Sequence, residues 1–207
     1  MKTTSPSDIP VLIPAAGRSS RMRGEDKLMR HVDGVPLLQR QIARAAEATC
    51  GPVIVLLPSG PHDRYGCLTG SRAVSVSVPD ASDGMSASLR RGVQALPPAT
   101  RAAMILLPDL PDITADDIRK MLASAETGDT TLMWCAMTED DQPGHPVVLG
   151  SDLFDDLLKI SGDNGARELR RRAAERNALR CIRLGGRRAR LDLDTPEDWQ
   201  AWEATRK

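Results

Sequence analysis

Leu12-Ile-Pro-Ala-Ala-Gly-Arg-Ser-Ser-Arg-Met-Arg-Gly-Glu-Asp-Lys-Leu28 decides how the rest of the chain is read. The apolar run Val11 to Ile13 stops at the small residues Ala15 and Ala16, and Gly17 opens a loop carrying Arg18, Arg21, Arg23 and Lys27. A buried strand that runs into a tight cationic loop gathers backbone N–H groups and positive side chains, an arrangement suited to phosphate oxygens. No Gly-Lys-Ser/Thr follows at Walker A spacing, and Gly17 and Gly24 stand too far apart for the Gly-x-Gly-x-x-Gly of a dinucleotide fold. The plainer alternative is a solvated basic loop after an ordinary strand.

Apolar runs alternate with helical patterns along the chain, as expected of a parallel sheet covered on both faces. The strand candidates are Val11–Pro14, Val53–Leu57, Val74–Val78, Met104–Leu107 and Leu132–Ala136. Leu38, Ile42, Ala45 and Ala46 give Leu37–Ala48 an apolar stripe, and Met85–Leu96 and Ala115–Ala125 repeat that spacing, the latter with Thr114 as N-cap. Further on, the pattern predicts a strand over Pro143–Leu149, a helix over Ser151–Ile160 capped by Ser151 and a basic helix over Ala166–Glu175. Two strands over Leu179–Leu184 and Arg190–Leu193 then precede a last helix, which starts at Thr195-Pro196-Glu197-Asp198. The expected fold is α/β, a three-layer Rossmann-like, mostly parallel sheet with helices on both faces, in a single domain over residues 1–207.

Composition narrows the function. The 207 residues carry 28 basic and 28 acidic side chains, so no net charge points to nucleic acid or to an anionic membrane. One Phe, one Tyr and three Trp are too few for base-stacking platforms. Cys50, Cys67, Cys135 and Cys181 form no Cys-x-x-Cys pair, which favours reduced thiols over a disulfide frame or zinc site. With no apolar leader and no run of membrane-spanning length, the expectation is a cytoplasmic protein.

Four later segments carry chemistry. In Asp80-Ala-Ser-Asp-Gly-Met-Ser-Ala-Ser-Leu, Gly84 opens a helix with Met85, Ser86 and Ser88 in or near its first turn; the choice is between an anion or base edge at the helix start and simple capping by Asp83 or Ser86. Met104-Ile-Leu-Leu-Pro-Asp-Leu-Pro-Asp ends a buried strand in Asp109, putting a carboxylate at the sheet's carboxyl edge, where Mg²⁺ and a triphosphate would meet it. A turn Asp before Pro111 is the alternative, and Asp112 reads as a turn or cap residue. Gly162-Asp163-Asn164-Gly165-Ala166-Arg167 precedes a helix start, and Asp192-Leu-Asp194-Thr-Pro-Glu-Asp is by itself mostly a helix start signal. His145 reads first as a polar turn residue; His31 and His62 suggest no role.

Taken together these segments resemble the MobA-like nucleotidyltransferases, the enzymes that attach GMP or CMP to the molybdenum cofactor. Ala15, Ala16, Gly17, Ser19, Arg21, Met22, Gly24, Asp26 and Lys27 match the family's opening Ala-Ala-Gly-x-Ser-x-Arg-Met-Gly-Gly-x-Asp-Lys. Arg23 stands where the first of two glycines is usual, so either the loop is shaped differently or Arg23 is an extra phosphate ligand. Gly-Met-Ser-x-Ser-Leu over 84–89 resembles the cytidylyltransferase branch and implies that Gly84, Met85, Ser86 and Ser88 lie against the nucleotide with Ala15, Ala16, Gly17, Arg18, Ser19, Arg21 and Lys27. Asp80 joins that set, although the branch usually has Asn near 80 and Glu near 83 where this chain has Asp at both. Leu-Pro-Asp-Leu-Pro resembles the metal-binding Leu-x-Asp-Met-Pro. Gly144, His145 and Pro146, with Gly162, Asp163 and Arg167, resemble the segments that border the acceptor.

The resemblance implies transfer of CMP from CTP to a molybdopterin-type acceptor, whose phosphate attacks the α-phosphorus and expels pyrophosphate. Residues of about 9–125 would bind the nucleotide and those of about 126–207 the acceptor. Arg21 and Lys27 would neutralise the β- and γ-phosphates, and Asp109 with Asp194, preferred to Asp192, would hold Mg²⁺. A molybdoenzyme receiving the cofactor is the implied partner. Guanylyl transfer is the nearest rival, but that branch usually reads Ala-Gly-Gly at 15–17 and lacks Gly-Met-Ser-x-Ser-Leu. Nucleotidyl transfer to another phosphorylated small molecule and non-catalytic delivery of a cofactor are the remaining readings. Intact Lys27 and Asp109 weigh against the last.

Overall fold

The chain is described by a computed structural model over residues 6–125, 131–160 and 165–206. Among these residues nine strands form: β1 (Val11–Pro14), β2 (His31–Val32), β3 (Val35–Pro36), β4 (Val53–Pro58), β5 (Val74–Val78), β6 (Ala102–Ile105), β7 (Met133–Met137), β8 (Pro143–Gly150) and β9 (Leu179–Arg183). Six helices accompany them: α1 (Leu37–Ala48), α2 (Met85–Gln94), α3 (Ala115–Ser124), α4 (Phe154–Lys159), α5 (Gly165–Glu175) and α6 (Pro196–Ala204). Seven strands build one sheet in the order β5-β4-β1-β6-β8-β7-β9, and β2 and β3 make a separate hairpin. All neighbours run parallel except at β8, which is antiparallel to both β6 and β7.

Both faces of the sheet are covered, as its nearly continuous apolar strands require. On one face Val11 and Ile13 pack with Leu38 and Ile42 of α1 and Ile118 and Met121 of α3. On the other, Leu12 meets Ala87 of α2, while Met133 and Leu149 meet Leu157 of α4 and Leu169 of α5. Helix α3 starts with the Thr114–Asp117 capping box, as its sequence predicts. The order of strands places β4 on one side of β1 and β6 on the other. The crevice where such a sheet takes ligands therefore lies past Pro14 and Ile105, at the carboxyl ends of β1 and β6.

Three sequence expectations need correction. Arg190–Leu193 is not a strand. Arg188–Arg190 forms a 3₁₀ turn, and the Leu193 N–H donates to Asp109 O at 3.1 Å instead of joining a ladder. Ser151 begins a 3₁₀ turn over Ser151–Leu153 and its side chain caps nothing; α4 starts at Phe154. Helix α2 follows Gly84, at φ 90°, and neither Asp83 nor Ser86 caps it. The hairpin β2–β3, turned by Asp33 (φ 53°) and Gly34 (φ 81°), was not expected.

The 3₁₀ turn at 188–190 lies hard against β8: a Cβ on Gly144 would stand 2.0 Å from Ala189 O. This contact carries the chain from the sheet's far half back towards β6. Gly144→Ala is expected to destabilise the fold by about 1–3 kcal/mol, because backbone must move to admit one methyl group. A urea unfolding midpoint equal to that of the wild type would show that β8 and the turn are not packed this closely.

Candidate active site

The loop after β1 is shaped from within. Ser20–Met22 makes a 3₁₀ turn, Arg23 then takes a left-handed conformation (φ 54°, ψ 36°) and Gly24 follows at φ 97°. Left-handed backbone at a non-glycine residue costs about 1–2 kcal/mol, so other contacts must hold the loop. The Ser19 hydroxyl donates to Asp26 Oδ1 (3.1 Å) and accepts from the Lys27 N–H (3.1 Å). Below them lies Arg64, only 2 % exposed and far off in sequence. Its Nε and Nη2 each donate at 2.7 Å to the two oxygens of Asp26, and Nη1 donates to Ala15 O (2.7 Å) and Gly17 O (2.8 Å). Burial alone would raise the Asp26 pKa; the Arg64 guanidinium, with the Leu28 N–H and Ser19 hydroxyl, outweighs it and holds the carboxyl below its usual value. Nothing in the sequence marks Arg64, which stands in an undistinguished 3₁₀ turn over Asp63–Leu68.

This frame presents Lys27 to the sheet edge. Its Nζ lies 2.6 Å from Asp109 Oδ2 and 2.6 Å from Asp194 Oδ1, and Arg21 Nη1 lies 2.7 Å from Asp194 Oδ2. The side chains of Lys27, Asp109 and Asp194 are under one-fifth exposed, whereas Arg21 is largely free in solvent. Burial would lower the Lys27 pKa, but the two carboxylates raise it, so the ammonium persists. Asp194 is fixed from behind: Thr195 and Asp198 form a capping box at the start of α6, and Asp198 Oδ2 also accepts from the Asp194 N–H at 3.2 Å. The indoles of α6 complete the support, with Trp199 and Trp202 buried beside Met22, Val32 and Leu37 and the Arg30 guanidinium stacked on Trp199.

Two cavities meet at this cluster. One, of about 610 Å³, is lined by Ala15, Gly17, Arg18, Gly84, Met85 and Ser88 among others. The second, of about 670 Å³, is lined by Gly144, His145, Cys135, Arg170, Arg190 and Asp192 over an apolar floor that includes Met133, Val147 and Leu149. Arg21, Lys27, Met85, Leu107 and Asp109 border both.

The predicted residues divide accordingly. Four are placed differently from the expectation. Ser19 is turned into its own loop. Asp80 is held by Arg91 (3.2 Å) and Arg90 (3.8 Å) of α2 and lines neither cavity. Ala16 and Ser86 are buried outside the cavity walls, Ser86 with its hydroxyl unpartnered. Arg23 pairs with Glu197 and lines neither cavity. Asp112 accepts from Trp202 Nε1 at 3.0 Å, a structural role, and His62 Nδ1 accepts from the Arg64 N–H. Of the residues expected to border an acceptor, Pro146 is buried in β8 next to His145, while Gly144 and His145 line the larger cavity. Desolvation pushes the His145 pKa down to about 4, leaving a neutral imidazole in the wall. Gly162 and Asp163 lie outside the described residues; Arg167 lies in α5.

Whether these residues suit a divalent cation can be tested on their donors. Asp109 Oδ1 is buried without a partner, and its Oδ2 converges with Asp194 Oδ1 on a single positive centre, Lys27 Nζ. Among the described residues no cluster of three His, Cys, Asp or Glu is assembled. Two carboxylates with room for phosphate and water suit the hard, oxygen-seeking Mg²⁺ or Mn²⁺ better than a metal needing a full protein cage. Asp192 is the weaker donor: it is exposed, and partial desolvation first, then the neighbouring Asp194 and Asp109 carboxylates, raise its pKa.

The profile of the MobA-like NTP transferase domain matches residues 11–178. Over 198 residues the chain is 25 % identical to the bifunctional protein GlmU of Novosphingobium aromaticivorans, covering 92 % of this chain and 43 % of that protein. It is 30 % identical over 145 residues to the 3-deoxy-manno-octulosonate cytidylyltransferase of Rhodospirillum rubrum, covering 67 % and 56 %. The chain thus spans about half the length of these curated relatives. The fold is shared with Rv0371c of Mycobacterium tuberculosis (TM-score 0.76, 24 % identity, 94 % and 97 % covered), also solved with manganese (TM-score 0.74, 23 % identity, the same coverage). Among the described residues no helix is long and apolar enough to cross a membrane.

Arg64→Met removes the partner of a half-buried carboxylate and two carbonyl anchors of the loop. A loss of about 3 kcal/mol is expected, at the lower end for a broken buried pair because Asp26 keeps some solvent. Since Asp26 is lowered below its unfolded value, its contribution is full above pH about 4 and fades as the pH falls through the folded pKa. The variant should lose that acid-side slope. A wild-type pH–stability curve for Arg64→Met would remove Arg64 as the anchor.

Proposed function

The chain belongs to the MobA-like NTP transferase domain family, and on that premise we propose that it is a nucleotidyltransferase which moves CMP from CTP onto the phosphate of a molybdopterin-type acceptor. The observation that carries the proposal is the meeting of two cavities at Lys27 and Asp109. A transfer between two bound polyanions needs two adjoining sites with charge control at the point of contact, and positioning with electrostatics can supply most of the rate. In this reading the nucleotide lies on residues of about 9–125. The acceptor lies on residues of about 126–207, with Asp194 reaching back from that half to complete the centre.

The chain's own groups have separable tasks. Lys27 and Arg21 bind the β- and γ-phosphates and hold the departing pyrophosphate. Gly17 and the uncapped start of α2 after Gly84 lie along the nucleotide cavity, where N–H groups suit phosphate or base oxygens. Asp109 and Asp194 would hold a divalent cation, Mg²⁺ in our reading, which when bound offsets the triphosphate charge. Manganese in the Rv0371c crystal structure supports a divalent ion of this kind. The acceptor phosphate, with a second pKa near 6, is already largely a dianion near neutral pH, so no protein nucleophile is needed. Arg170 and Arg190 make no ion pair among the described residues and stand in the wall of the apolar-floored cavity, a combination suited to an anion on a flat, soft body.

A sugar acid is the second reading for the acceptor, favoured by the name of the 3-deoxy-manno-octulosonate cytidylyltransferase that the chain resembles. Pyrophosphate release with Mg²⁺ and each nucleoside triphosphate, in the presence of molybdopterin or of a sugar acceptor, separates the two. Release with CTP and molybdopterin is expected; release only with a sugar acceptor would overturn the pterin assignment, and turnover with GTP the cytidylyl one. Asp109→Ala is expected to cut turnover at least about a hundredfold, roughly 3 kcal/mol, and wild-type kcat at saturating Mg²⁺ would remove it from the centre. Arg190→Ala should raise the acceptor KM about tenfold at unchanged kcat, with CTP affinity unaltered.

A further inference from the structure

Cys135 and Cys181 are 46 residues apart yet stand directly opposite each other, Cys135 on β7 and Cys181 on the neighbouring parallel strand β9. Their Sγ atoms are 3.3 Å apart. Adjacent strands are spaced about 4.8 Å, inside the roughly 4.4–6.8 Å window of Cα separations that a disulfide spans. A change of side-chain rotamer alone can therefore close the gap to a bond. The two thiols differ in access: Cys181 is exposed, whereas Cys135 is buried among Met133, Val147 and Leu149 and lines the larger cavity. The mechanism proposed above uses neither.

We propose that Cys135 and Cys181 form a reversible disulfide, made by exchange with small-molecule disulfides, that alters the wall of the acceptor cavity. The exposed Cys181 thiolate attacks one sulfur of a disulfide such as oxidised glutathione, forming a mixed disulfide and releasing one thiolate. Cys135 then gives up its proton to solvent and attacks the Cys181 sulfur; the Sγ–Sγ bond forms and the second thiol leaves. Two protein thiols are oxidised and one external disulfide is reduced to two thiols. Burial, reinforced by the facing Cys181, pushes the Cys135 thiol up to about 12, so Cys135 is the resolving partner rather than the initial nucleophile. Once Cys181 is in the mixed disulfide it carries no charge, and that part of the obstacle disappears. Forming the bond draws the two Sγ atoms together from 3.3 Å, and the share of that movement taken by Cys135 displaces a cavity-lining atom.

The role of the cavity rests on the reading of it as the acceptor site; the bond itself does not. The intact chain is incubated with oxidised glutathione, its free thiols are alkylated, and the protein is mapped without reduction. The expected result is a cross-linked peptide pair joining Cys135 and Cys181, loss of two alkylatable thiols, full reversal by dithiothreitol, and no cross-link in Cys181→Ser. Glutathione adducts on Cys50 or Cys181 with Cys135 still alkylatable would overturn the proposal. Pyrophosphate release is then compared between oxidised and reduced protein: a rise of about tenfold in acceptor KM with unchanged CTP affinity is expected. Equal acceptor KM in a cross-linked protein would overturn the effect on the cavity. A reduced protein that transfers no nucleotide at all would count against the proposed function, and the cross-link would still be decided by its mass.

Discussion

One ammonium group from near the start of the chain is shared by two carboxylates, one from the chain's middle and one from near its end. Lys27 comes from the loop after β1, Asp109 from the end of β6, and Asp194 from the segment before α6; Nζ meets an oxygen of each at 2.6 Å. A lone pair of this kind adds little stability, because taking the charges out of water costs about what their attraction returns. Its value is organisational. Lys27, Asp109 and Arg21 line both cavities and Asp194 lines the larger, so the contact fixes how the two halves of the chain face each other.

That contact depends on a loop that is costly to form. Arg23 in left-handed conformation and a half-buried Asp26 both work against it. Arg64 compensates with bonds to two carbonyls and a bidentate pair to Asp26, and the planar guanidinium can do this where a lysine ammonium cannot. The basic loop is thus not simply a set of cations waiting for phosphate. Its polar groups at Ser19 and Asp26 are spent on its own shape, which leaves Arg18, Arg21 and Lys27 to face the cavities.

What could be read from the sequence follows from range. Strands, helices and the Thr114 and Thr195 caps are local patterns, and they were legible to within a few residues. The Asp33-Gly34 turn is equally local, since Asp-Gly between Val32 and Val35 is a hairpin signal, but strands of two residues are too short to show alternation. Long-range partners were not legible. Asp80 has the composition of a ligand but sits within reach of Arg91 on the helix that follows it. Arg64 looks like any surface arginine until the fold buries it. The four cysteines lack a spacing motif, yet sheet register sets two of them side by side. Arg190–Leu193 has strand composition, but the backbone bond from Leu193 to Asp109 takes the place of a strand partner.

The reversed strand accounts for the second cavity. In a fully parallel sheet the chain would return to the same edge after every strand, and every carboxyl end would face the same crevice. Here β8 runs against its neighbours, so its first residues, Pro143 to His145, lie beside the carboxyl end of β6 while its last reach back to Ala102. Gly144 lets the turn at 188–190 close over that point, and the chain then runs directly into Asp192, Leu193 and Asp194. One antiparallel strand therefore does two things: it widens the crevice beyond the nucleotide half, and it steers the last segment back to Asp109. A sheet without that reversal would keep the phosphate loop but would have neither the second cavity nor the second carboxylate.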